Sequence, residues 1–183
     1  MPMVTPSDVL NYWFHSAVDP EPRFELWFKK RDETDAFIRE RFEPLVNTLA
    51  SGHAYDWAAQ GPKETLAALV VLDQLPRNIY RGQPQTFATD RLALSLAINM
   101  MVVGREHRLS LIERWFIYMP LEHAEDLTTQ RASVAAFTEL RDAAPDEQKS
   151  LFADALDYAH KHAEVIERFG RFPHRNAILN RKS

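Results

Sequence analysis

The sequence predicts an all-α fold, a single domain of about eight helices arranged as antiparallel neighbours. Three observations predict it. Apolar residues recur at helical spacing along most of the chain. The five glycines, Gly52, Gly61, Gly82, Gly104 and Gly170, each fall near the end of such a pattern, where a left-handed cap residue is expected. No Asn-Gly or Asp-Gly hairpin signal and no clean alternating strand is present.

Taken in order, Thr5-Pro6 reads as an N-cap followed by proline in the first helical turn, opening a short helix that carries Val9, Leu10, Tyr12, Trp13 and Phe14. Asp19-Pro20-Glu21-Pro22 is a turn. A longer helix over 32–50 buries Phe37, Ile38, Phe42, Leu45, Val46 and Leu49, and Pro44 should kink or break it. Gly61-Pro62 starts a helix through Leu66, Leu69, Val70 and Leu72 that ends near Leu75, because Pro76 follows. Residues 88–103 form an amphipathic helix closed by Gly104. Residues 109–119 form another, stopped by Pro120, and 121–140 a third. After a turn over 142–146, the last long helix spans 147–169, and Pro173 opens a terminal helical turn.

The chain has 183 residues, 45% of them hydrophobic and 26% charged, enough for one sizeable core. Its net charge of −4 argues against a general nucleic-acid binder. The absence of cysteine removes thiol chemistry and fits a reducing compartment. The start of the chain lacks the pattern of a signal peptide. The longest apolar run, 66–72, is far short of the roughly 18 residues needed to cross a bilayer. The expectation is a cytoplasmic protein that engages neither nucleic acid nor membrane. The cations are 16 arginines and only 6 lysines, and arginine favours fixed bidentate contact with carboxylates and phosphates.

Three polar segments stand out. The first is Leu72-Asp73-Gln74-Leu75-Pro76-Arg77-Asn78-Ile79-Tyr80-Arg81-Gly82. Asp73 and Arg77 pair on one face if the helix continues; if Pro76 starts a new turn, its free N–H groups can meet an anion. A structural use is also open, in which Arg77 and Asn78 tie a helix end to nearby carbonyls. The second is Pro120-Leu121-Glu122-His123-Ala124-Glu125-Asp126-Leu127-Thr128-Thr129-Gln130. With Pro120 opening a helix, His123, Asp126 and Gln130 share one face. A histidine beside carboxylates suits acid–base chemistry, although acidic residues also favour helix N-termini for the dipole alone. The third is Arg168-Phe169-Gly170-Arg171-Phe172-Pro173-His174-Arg175-Asn176. Gly170 caps the long helix, and His174, Arg175 and Asn176 then line the next helix N-terminus, an anion trap or a structural corner. No Walker loop, dinucleotide fingerprint or Gly-x-Ser-x-Gly elbow is present, and no cofactor is expected. His162 lies on an apolar helix face with Tyr158 and Ile166, as a core histidine would.

These blocks, with Tyr12-Trp13-Phe14, Leu26-Trp27-Phe28, Phe37-Ile38-Arg39-Glu40-Arg41-Phe42 and Phe87-Ala88-Thr89-Asp90, resemble the DUF924 family of uncharacterised bacterial proteins over nearly the whole chain. The resemblance implies an all-helical fold similar to tetratricopeptide-repeat superhelices, and it implies no settled activity. Ala124 departs from the serine common in that family.

The expectation for function is that the three segments converge on one face or cleft. Arg77, Arg171 and Arg175 would hold an anionic or carboxylate-bearing ligand, oriented by Asn78 and Asn176. Asp73, Gln74, Arg81, Gln130, Arg168 and His174 would add ligand contacts. His123, Glu125 and Asp126 would supply hydrogen bonds or proton transfer. Two other expectations are a non-catalytic peptide-binding scaffold and a metal-dependent hydrolase using His123 with Glu122, Glu125 or Asp126.

Overall fold

The computed structural model describes residues 3–182 and contains only helices, turns and loops among them. Eight α-helices have seven residues or more: α1 (Pro6–Phe14), α3 (Asp32–Thr48), α4 (Ala54–Gln60), α5 (Pro62–Leu69), α7 (Asp90–Val102), α8 (Leu111–Glu122), α9 (Leu127–Ala143) and α10 (Asp146–Phe169). Two helices of five residues join them, α2 (Phe24–Phe28) and α6 (Leu75–Ile79). The sequence pattern does not reveal α2 or α4.

Caps follow from local chemistry. Thr5 opens α1 with a reciprocal bond to Asp8, and Ser110 opens α8 with the same exchange to Glu113. Gly104 and Gly170 adopt φ of 66° and 64° at the ends of α7 and α10, a region that a Cβ disfavours.

Pro76 and Pro120 behave differently from expectation, and Pro44 does not break its helix. Pro44 lies inside α3, on its exposed side, where water can meet the carbonyl group it leaves unpaired. The helix continues to Thr48, and the chain then kinks at Gly52, whose φ of 119° is left-handed, before α4 begins. Pro76 does not end its helix either. Between α5 and α6 runs a π-helical turn, Val70–Gln74, and the Leu75 N–H bonds the Val70 carbonyl five residues back. Pro76 then occupies the first turn of α6, where a missing N–H costs little. Pro120 lies in the last turn of α8 rather than starting a helix. His123 is therefore the C-cap of α8 and Asp126 the N-cap of α9, which overturns the single helical face expected for His123, Asp126 and Gln130. The terminal turn is a three-residue 3-10 helix, Pro173–Arg175, too short for the helix-dipole anion trap expected there.

One apolar cluster runs from α1 to α10. Its centre is aromatic: Trp27 meets Phe116 at 4.6 Å and Trp13 meets Phe116 at 5.9 Å, edge to face. Trp27 Nε1 donates to the Trp13 carbonyl at 2.8 Å. α9 packs along both α8 and α10, while α3 packs on α6. Among the described residues no helix is long and apolar enough to cross a membrane.

Candidate functional site

The π-helical turn before α6 delivers Asp73 into the protein at 1% exposure. A buried carboxylate needs donors, and this one has them. Gln74 Nε2 donates to Oδ2 at 2.6 Å, and His123 Nδ1, at the end of α8, donates to Oδ1 at 2.8 Å. Arg77 Nη1 lies 3.6 Å from Oδ1. Burial pushes the Asp73 carboxyl up, but the His123 and Arg77 charges and the two hydrogen bonds outweigh it and hold the group down at about 2. The bond to Asp73 fixes the His123 proton on Nδ1 and leaves Nε2 without a hydrogen bond from any described residue.

Asp90, the first residue of α7, joins two arginines. Arg77 grips it bidentately at 3.0 and 3.1 Å, and Arg175 Nη1 reaches its Oδ2 at 3.3 Å. Arg175 Nη2 donates to the His123 carbonyl at 3.1 Å. The Arg175 guanidinium is sandwiched between the rings of Phe87 and Phe172, at 4.4 and 4.7 Å. Burial and the Asp73 charge raise the Asp90 carboxyl against the pull of Arg77. Burial lowers Arg175, with the Arg77 charge adding to it and Asp90 opposing. The two carboxylates balance the two guanidinium groups, so the cluster has little net charge of its own. Its exposed parts are Arg77 at 22%, Asp90 at 15% and the His123 imidazole at 13%.

The structure thus brings together Asp73, Gln74, Arg77, His123 and Arg175. The other expected residues have different employment. Asn78 and Arg81 both donate to Asp35 and tie α6 to α3, at 2.7 to 3.0 Å. Glu125 anchors the C-terminal segment: it accepts the Phe172 N–H at 2.8 Å and both Nη atoms of Arg181 at 2.6 and 2.8 Å. Hydrogen bonding from Arg181 lowers its carboxyl despite partial burial. Asp126 caps α9 by accepting the Thr129 N–H and hydroxyl, each at 2.7 Å. Gln130 is fully buried, and its Nε2 donates to the Glu122 and Ala124 carbonyls at 2.7 Å, holding the turn between α8 and α9. Asn176 is buried with its Oδ1 unpartnered. Arg168 and Arg171 are exposed: Arg168 stacks on Phe169, and Arg171 meets no hydrogen-bond partner among the described residues. His174 is exposed and packs against Phe172; burial and the Arg175 charge lower its imidazole.

Two residues escaped the sequence reading. Asp90 carried no signal of its own beyond membership of the Phe87-Ala88-Thr89-Asp90 block. His162 is a satisfied but only partly buried histidine, and the partner that the sequence did not show is buried Glu122, whose Oε1 lies 3.0 Å from its Nδ1. The side chains that a metal would need, Glu122, His123, Glu125 and Asp126, point to four different partners. Among the described residues no group of three His, Asp or Glu is placed to hold a metal.

Fold and site define an all-α protein whose C-terminal turn is fastened over a carboxylate–histidine–arginine cluster. Residues 9–183 match the family described as "Bacterial protein of unknown function (DUF924)", and the chain belongs to it. It is similar to the solved structure of a protein of unknown function, ATU0120, from Agrobacterium tumefaciens, with 32% identity and a TM-score of 0.80, covering 97% of this chain and 91% of that one. No curated protein matches the chain.

Proposed function

We propose that the His123 face binds a small anionic ligand, carboxylate or phosphate, and moves a proton on it. The observation that carries this reading is the Asp73–His123 couple. A buried, ionised carboxylate holds Nδ1–H at 2.8 Å, and that leaves Nε2 as the atom able to take a proton from a ligand. Arg77 supports the anionic preference as a cation beside His123 whose side chain is partly exposed. The fixed, charge-balanced frame of Asp90 and Arg175 supports the couple by holding the His123 carbonyl. Arg175 in this reading is a strut rather than the ligand contact expected from sequence. The cysteine-free composition accords with a cytoplasmic setting for this chemistry.

Thermal melting with inorganic phosphate, succinate and citrate tests the reading. At a hundredfold excess over Kd, a bound probe adds about 2.7 kcal/mol, a rise of several degrees for a chain of this size. His123→Gln and Arg77→Gln should each reduce that rise. A flat response to all three probes, or an unchanged rise in His123→Gln, contradicts it.

A second reading, a helical scaffold that docks a peptide, is favoured by one observation. A groove of about 760 Å³ lies between α3, α4 and the segment leading into α1, with Val4, Phe37, Pro44, Leu45 and Trp57 among its apolar lining and Glu40, Arg41 and Asp56 among its charged lining. An apolar trough with charged residues along it suits an amphipathic helix, as a tetratricopeptide-like architecture would. Trp57 fluorescence titrated with amphipathic helical peptides reads it directly; no change with any of them removes its support.

A further inference from the structure

Glu122 and His123 are consecutive at the end of α8, and each carries or joins a carboxylate–imidazole couple. The Glu122 couple is built as follows. Its side chain is buried, and Oε1 lies 3.0 Å from Nδ1 of His162 on α10. The same Nδ1 lies 2.8 Å from the Tyr158 carbonyl one turn back. Both neighbours are acceptors, so Nδ1 carries a proton and Nε2 is the atom left for another partner. No described residue bonds Nε2, and the imidazole is 29% exposed.

Both couples abut the C-terminal turn. Phe172 stands edge-on to His162 with ring centres 5.5 Å apart, and the Arg175 guanidinium lies 4.7 Å from the centre of the same ring. Arg175 in turn holds the His123 carbonyl at 3.1 Å. The charged and titratable groups around His162 are Glu122 from α8 and Arg175 and His174 from the C-terminal turn.

We propose that His162 is the second proton-carrying group of the His123 site, with Glu122 as its positioning residue. The inference rests on the His123 reading above and deepens it: the anion lies between an imidazole that accepts a proton and one that donates. His123 Nε2 takes a proton from the ligand or its attendant water, and Asp73 balances the imidazolium that forms. His162 Nε2 gives a proton to a ligand oxygen and returns to the neutral form. One proton enters the pair and one leaves, so its net charge is unchanged. The surroundings fit this division. Burial alone would lower His162, but the Glu122 hydrogen bond and charge and the Tyr158 carbonyl outweigh it and the opposing Arg175, and the imidazole lies above its ordinary value. The ligand class that uses both groups has one oxygen to receive a proton and another to release one, as a phosphate does.

Long-range ¹⁵N–¹H spectra of the histidine rings in the full-length protein test this, titrated over about pH 5 to 8 with and without inorganic phosphate. Phosphate should move both the His123 and the His162 ring resonances. Glu122→Gln should lower the His162 midpoint while leaving the Nδ1–H tautomer on Tyr158. His162→Gln, melting like the wild type, should weaken the phosphate effect on His123 several-fold. Movement at His123 with His162 unmoved overturns this inference and leaves the His123 site standing. Movement at neither overturns the His123 reading and this one with it. An unchanged His162 midpoint in Glu122→Gln removes Glu122 from its role and overturns the couple.

Discussion

At position 73 a carboxylate sits at 1% exposure with Gln74, Arg77 and His123 turned towards it. Its carboxyl is held at about 2 against an ordinary 3.8. A depressed value stabilises the folded state wherever the unfolded chain has the group ionised, above about pH 4. That contribution disappears as pH falls through about 2. The shift corresponds to about 2 kcal/mol, so urea unfolding of the wild type should weaken by that order between those two pH values. Asp73→Asn should lack this part of the acid slope. At pH 7 it should also be less stable by roughly 3 kcal/mol, because Arg77 keeps only Asp90 as a buried counter-charge and the Asp73 side of the cluster is left without its carboxylate. A variant with the wild-type acid slope contradicts the assignment. Asp73, Arg77 and His123 were legible as polar residues in unusual blocks. Asp90 was not, because an aspartate at the start of a helix is what the dipole favours anyway. His162 was hidden for a related reason: its apolar neighbours one turn away describe its helix face, not the carboxylate that another helix brings to it.

The elements that carry the site are the irregular ones. The π-helical turn Val70–Gln74 sets the angle at which Asp73 and Arg77 leave the chain, and the C-cap of α8 does the same for His123. The C-terminal segment after α10 is held by Glu125 through Arg181 and the Phe172 N–H, and by Arg175. The Arg181–Glu125 pair is about a quarter exposed on each side, so its loss should cost no more than about 1 kcal/mol. Arg181→Gln is therefore expected to leave the melting temperature nearly unchanged while speeding amide hydrogen exchange over residues 171–182. Unaltered exchange there would mean that Phe172 packing alone fastens the segment. Helix positions were readable from apolar spacing and from glycine, but the effect of Pro76 and Pro120 was not. A proline removes one hydrogen bond, and whether the helix stops depends on whether a π-helical turn or a nearby helix end absorbs that loss.

Across the whole molecule, a single apolar cluster joins the first helix to the last. Unfolding should consequently be one cooperative event. Helix loss followed by circular dichroism should coincide with exposure of Trp13, Trp27 and Trp115, which lie in the aromatic centre, followed by fluorescence. Separated transitions would show that the α3–α4 region around Trp57 unfolds as its own unit. The sequence by itself determined the helical class, most helix ends, the DUF924 membership and three polar blocks, because these depend on local spacing, capping chemistry and composition. Only the tertiary structure decided which blocks meet. It set Arg77 and Arg175 on one carboxylate, though they lie 98 residues apart in sequence. It sent Asn78 and Arg81 to Asp35 and Asp126 to a helix cap. The physical reason is that a buried charge takes whichever partner the packing of helices delivers within hydrogen-bond reach, and that delivery has no signature in local sequence.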